Sequence, residues 1–120
     1  MKPAGMICRD GQMLWPEVQM AASFLDRLQG LLGKAGLSDQ QRLLLTACGS
    51  VHTVGMRFPI DVIFLDADLK ILACHPGVSA WRMKSCRGAR TTLEVAAGGV
   101  ERHGVVSGQC LTWRAAQSRL

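Results

Sequence analysis

Tyrosine is absent from this chain, and aromatic residues of all kinds make up only 5% of it. Leu, Val, Ile and Met must therefore fill most of the core. No apolar run approaches the roughly 20 residues that cross a bilayer as a helix. The opening MKPAGMICRDGQ has no apolar stretch ahead of its charges. A secretory signal and a membrane partner are therefore not expected, and the cytoplasm is the default compartment. No C-x-x-C pair joins the five cysteines, Cys8, Cys48, Cys74, Cys86 and Cys110. Their odd number fits reduced, unlinked thiols rather than a disulfide framework. The G-x-S-x-G elbow, the phosphate loop and the G-x-G-x-x-G dinucleotide turn are missing, so the glycines of AAGGVERHG read as loop-shaping.

What is present describes one globular domain. The 120 residues are 48% hydrophobic and 19% charged, enough to bury a core without staples. We read residues 1–120 as a single unit with its core over about 5–113 and a loose tail at 114–120. The net charge is +5. Arg82, Lys84, Arg87 and Arg90 fall within WRMKSCRGAR with no acid among them. That segment reads as a solvated basic loop or an anion-binding rim. With Trp81 its only aromatic, nucleic acid is not the expected partner.

Local patterns suggest a mainly β, α+β fold. MICRDGQMLW reads as a hairpin turned at Asp10-Gly11. Pro16 is expected to interrupt it, leaving EVQMA as a third short strand. Ser23 caps the one convincing helix, SFLDRLQGLLGK, whose Phe24, Leu25, Leu28, Leu31 and Leu32 form an apolar stripe. LLLTA, VIFL and ILACH read as strands, the last two as a hairpin around ADLK. TTLEVA alternates, with Thr92 and Glu94 expected on a wet face. VERH suggests one helical turn, and CLTW a final strand. The expectation is a compact antiparallel β-barrel or sandwich of six or seven short strands with one early helix packed on it.

The stretch PIDVIFLD carries the chemical question. Ile60, Val62 and Phe64 face one way; Asp61, Ile63 and Leu65 face the other. Both faces are apolar, so Asp61 enters a strand covered on both sides. A buried carboxylate there needs partners. One reading is a structural knot, with Asp61 accepting hydrogen bonds from backbone N–H groups and from Thr53 or Arg57. The other is a ligand or catalytic pocket in which His52, Arg57 and Asp61 converge. Cys48 and His52 have the spacing of two zinc ligands, but a closed site needs four, and no second pair exists. No metal and no cofactor are expected.

RLQGLLGKAGL, VHTVGMRFPIDVIFLDADLKIL and TLEVAAGGVERHGVVSGQCL, in that order, resemble the DUF192 family, also called UPF0127. This is a family of small bacterial and archaeal proteins of uncharacterised function. The resemblance runs from about residue 18 to residue 113. It rests on Thr53, Met56, Ile60-Asp61, Phe64-Leu65-Asp66, Leu93-Glu94 and Ala97-Gly98, with Arg27 ahead of the Gly-Leu of the helix. Relatives commonly read Gly-Asp where this chain has Gly108-Gln109. The resemblance implies a compact, mainly β fold with one early helix, and no activity. The leading expectation is a small binding or accessory domain, monomeric, taking a small molecule or a protein. Its pocket would be His52, Thr53, Arg57, Asp61 and Glu94, rimmed by Arg82, Lys84, Arg87 and Arg90. The alternatives are a hydrolase using Asp61 or Glu94 with His52 as acid and base, and a protein-interaction module using the basic loop 82–90.

Overall fold

The structure, a computed structural model, describes residues 4–21, 42–47, 49–52, 58–79 and 82–116. The helix expected from Ser23, along with Cys48, Thr53, Arg57 and Trp81, lies outside the described residues. Strand β1 (Ala4–Arg9) and strand β2 (Gln12–Ala21) form the expected hairpin. Asp10 (φ 52) and Gly11 (φ 81) make its turn. Both torsions are positive, as a type I′ turn requires, and Asp-Gly supplies them at low cost. The expected break at Pro16 does not occur. Strand β2 runs through it, and EVQMA is the second half of that strand. The pairing slips between Gly5↔Val18 and Ile7↔Trp15, and Glu17 takes φ 54. A bulge thus absorbs the residue that has no N–H to give.

Seven further strands follow: β3 (Leu43–Thr46), β4 (Ser50–His52), β5 (Ile60–Leu65), β6 (Ile71–Val78), β7 (Met83–Ser85), β8 (Thr91–Ala96) and β9 (Thr112–Ala115). The described residues therefore hold nine strands, more than the six or seven expected, because the basic loop contains β7 and β4 pairs with it. One sheet has the order β6-β5-β8-β3-β2-β1-β9, and β4-β7 forms a second, two-stranded sheet. The large sheet is mixed rather than wholly antiparallel, since β2 and β3 run parallel. Residues 22–42 between them are long enough for the crossover that a parallel pair needs. Of the two expected architectures, the barrel does not form. Edge strands β6 and β9 approach through a single bridge, Lys70↔Cys110, and the bonds Ile71 N to Gln109 O and Leu111 N to Leu69 O (2.8 and 2.9 Å). The result is a layered, sandwich-like α+β domain.

Each face of the large sheet carries its own core. Ile63, Leu65, Leu44, Leu93 and Val95 pack on one face with Trp15, Val105 and Leu111. Ile60, Val62, Phe64, Leu43 and Leu45 pack on the other with Val51 of β4 and Val78. Every residue of β5 is buried, as its two apolar faces predict. The wet face expected for β8 is corrected: Thr92 and Glu94 are 0% and 1% exposed. The alternation of TTLEVA is real, but the core that includes Val51 of β4 covers the side that a lone antiparallel sheet would leave to water.

Helix α1 (Gly99–His103) is the helical turn expected at VERH. It sits on the Trp15 face: a Cβ on Gly99 would lie 3.2 Å from the indole, and His103 meets that ring edge-on at 4.7 Å. Burial, then the positive charges of Arg102 and Arg9, push the His103 imidazole below its ordinary value. The unfolded chain therefore binds this proton more readily. The stability contributed by the neutral ring is present above about pH 6.5 and is lost as pH falls through the lowered folded value. Melting temperatures recorded across that range should fall on the acid side, and His103→Gln should flatten the fall. An unchanged slope in the variant would contradict this assignment.

A sharper constraint lies at the β1–β9 edge. A Cβ on Gly5 would run into the Arg114 carbonyl oxygen and come within 2.6 Å of the Trp113 ring. Backbone cannot yield as a flexible side chain does. Gly5→Ala should cost about 1–3 kcal/mol of stability, readable in chemical denaturation.

Candidate functional site

Asp61 is fully buried, and three backbone N–H groups hold it. Gly77 N donates to Oδ1 at 2.8 Å; Gly98 N and Val100 N donate to Oδ2 at 3.2 and 2.8 Å. These donors lie 16, 37 and 39 positions along the chain. The sequence points to nearer partners around His52 to Arg57, of which only the backbone of His52 is described. The geometry follows from a second bulge. Strand β5 pairs Ile60 with Val78 and Val62 with His75, so Asp61 faces the extra residues Pro76 and Gly77. Gly77 takes φ 62, a torsion that costs glycine little, and its N–H reaches the carboxylate. On the other side Asp61 caps α1 from a distance. Gly98 precedes the helix and has no side chain to accept its free N–H groups, so Oδ2 accepts two of them. Cys74 senses the same charge: burial first, and Asp61 second, push its thiol above the ordinary value.

Glu94 does not share this environment. Asp61 pairs with Val95, and Val62 pairs with Glu94. Directly paired residues share a face, and neighbours along a strand alternate. The two carboxylates therefore leave the sheet in opposite directions. Asp61 joins the α1 face, whereas Glu94 is buried between Leu43 and Val62 on the β4 face.

A cleft of about 320 Å³ opens where β6 ends, lined by His75 to Ser79 with Arg82 and Lys84. His75 pairs with Val62, so it stands on the β4 face, and its ring meets Phe64 edge-on at 5.6 Å. Lys84 pairs with buried Val51 and shares its inward face, which brings its stem under the small sheet. The four basic residues grouped by the sequence thus divide. Arg82 and Lys84 line the cleft. Arg87 and Arg90 do not: Arg90 N bonds the Leu65 carbonyl, four positions along β5 from Asp61, or roughly 13 Å at strand spacing. His75 was not among the expected site residues. Its signal was the Pro76-Gly77 pair just after it, which marks a break in a strand. Among the described residues, no three His, Cys, Asp or Glu side chains gather as a metal would require. Cys8, Cys74, Cys86 and Cys110 are free thiols. No helix among the described residues is long and apolar enough to cross a membrane.

The DUF192 family profile, described as an uncharacterized ACR, matches residues 6–113. The chain belongs to the DUF192 family. No curated protein matches it. Two solved structures share the fold of this DUF192 domain. One is a Sinorhizobium meliloti 1021 protein provisionally described as a transcription regulator, with a TM-score of 0.73, 21% identity and 94% of each chain covered. The other is a Novosphingobium aromaticivorans DSM 12444 protein of unknown function, with a TM-score of 0.71, 16% identity, and 92% of this chain and 84% of that one covered.

The blocks that carry the DUF192 resemblance meet in space. Strand β5, with Ile60-Asp61, lies against β8, with Leu93-Glu94, and the Asp61 carboxylate bonds Gly98 of the following Ala97-Gly98. The Gln109 amide oxygen accepts from Arg9 Nη1 and from Val106 N, each at 3.2 Å. An amide thus serves both donors without a charge.

The three bonds to Asp61 make a stability prediction. In Asp61→Asn the amide NH₂ must face one of the N–H donors, so at least one bond is lost, at about 1–3 kcal/mol. Asp61→Ala abandons three donors and leaves a void, and should lose roughly 4 kcal/mol. Urea titrations of both variants measure this. An Asn variant as stable as the parent would refute it.

Proposed function

We propose that this DUF192 domain is a non-catalytic binding module and that its site is the cleft at the β6 bulge. One observation carries the reading: strand β6 and the small β4–β7 sheet converge there, and both contribute polar side chains, His75 and Ser79 from one side and Arg82 and Lys84 from the other. Concave sites with a few convergent polar groups are where small ligands bind, and about 320 Å³ is the small end of their range. A hydrolytic reading needs a carboxylate beside an imidazole in one centre. Asp61 and Glu94 leave opposite faces of the sheet, and Asp61 already accepts three backbone bonds, which favours binding over acid–base work. A nucleic-acid role, which the description of the Sinorhizobium protein raises, needs a continuous basic patch. Here the four cations of the basic segment fall into two separated pairs. The same reading has the domain working in the cytoplasm as a monomer, in keeping with its four described free thiols.

An NMR screen of fragments of mixed charge tests the site. Binders should move the amide signals of Gly77, Val78, Ser79, Arg82 and Lys84 together. Fragments that gather elsewhere, or none that reach these amides, would overturn the assignment.

A further inference from the structure

The cleft has a chemical bias that narrows its ligand. Arg82 and Lys84 bring two positive charges, His75 brings a ring that donates one N–H in either neutral tautomer, and Ser79 brings a hydroxyl. Among the described residues, no acidic side chain lines it. The nearest described carboxylate in the β6 register is Asp61, which leaves the opposite face of the sheet and is engaged by Gly77, Gly98 and Val100. Glu94 shares the face of His75 but stands two strands away, about 10 Å at sheet spacing, and is buried. We infer that the cleft takes a compact oxyanion, a carboxylate or phosphate group on a small molecule. This rests on the cleft being the binding site. Arginine grips two oxygens with its planar fork, and lysine adds a point charge beside it. Lys84 is well placed for this, because its stem lies on the inward face beside Val51 and its freedom is reduced before any ligand arrives. A cation would find no carboxylate among the described residues of this wall.

The test is titration of the isotope-labelled domain with inorganic phosphate, with acetate, and with glucose as a neutral control, at low and at raised salt. Phosphate or acetate should saturate the shifts of Gly77, Ser79 and Lys84, with weaker binding at raised salt. The more effective anion identifies which oxyanion is preferred. Lys84→Gln and Arg82→Gln should each weaken binding by about tenfold, whereas Arg87→Gln, at the other end of the sheet, should leave it unchanged. Arg82 is exposed and Lys84 half-buried, and an unchanged spectrum elsewhere shows that each variant is folded. If the anions leave these amides unmoved while neutral fragments saturate them, the oxyanion inference fails and the cleft reading stands. If nothing binds there, both fail. Shifts that spread equally over Arg87 and Arg90, or a DNA duplex that binds far more tightly than phosphate and moves both pairs of cations, would also overturn the inference.

Discussion

The carboxylate of Asp61 sits where three chain segments would otherwise end with unused backbone donors. A buried N–H without an acceptor is costly, and β6, the Ala97-Gly98 turn and α1 each bring at least one to the same place. One side chain answers all of them. The consequence reaches further than those bonds. The bulge that Gly77 forms against Asp61 adds a residue to β6, so His75 and Val78, three positions apart, stand on the same face instead of opposite ones. Val78 can then close the core while His75 faces the cleft. The interior constraint on one side of the sheet thus shapes the proposed binding cleft on the other.

Much of this was legible in the sequence where the signal is local. Asp10-Gly11 specifies its own turn. The two apolar faces of IDVIFL require cover on both sides, and the strand has it. Glu101, Arg102 and His103 after a Gly-Gly pair make one turn of helix with acid early and base late, as the helix dipole favours. What was not legible depends on partners far along the chain. The donors to Asp61 lie beyond the reach of spacing arguments, since any buried N–H can serve and none has a residue type. Glu94 misleads for a related reason: Thr-Thr-Leu-Glu-Val-Ala alternates like a half-wet strand, and only the placement of β4 shows that the polar side is enclosed. The basic segment misleads in the opposite way. Four cations close in sequence look like one patch, yet β7 and the turn after it carry two to the cleft and two to the far end of the sheet.

The family relation and the geometry lean on the same residues. Two of the blocks that carry the DUF192 resemblance are adjacent strands, and the Asp61–Gly98 bond ties the first to the turn after the second, so in this chain folding alone accounts for their contact. The cleft residues His75, Arg82 and Lys84 lie outside the motifs that carry the resemblance. The proposed site is thus built from positions other than those that hold the scaffold together.

The pairing of β1 with β9 has a consequence for how the protein is made. Gly5 pairs with Ala115, and Ala116 N bonds the Ala4 carbonyl, so the first described strand meets the last. During synthesis the outer edge of β1 stays open until β9 has left the ribosome. For all that time a hairpin with an unsatisfied flank, carrying buried-type residues such as Ile7 and Trp15, is available to a neighbouring nascent chain. The short length of β9 and the arginine at its centre make it a poor template for further strands once it arrives. The interval before its arrival is when this domain has most need of a chaperone.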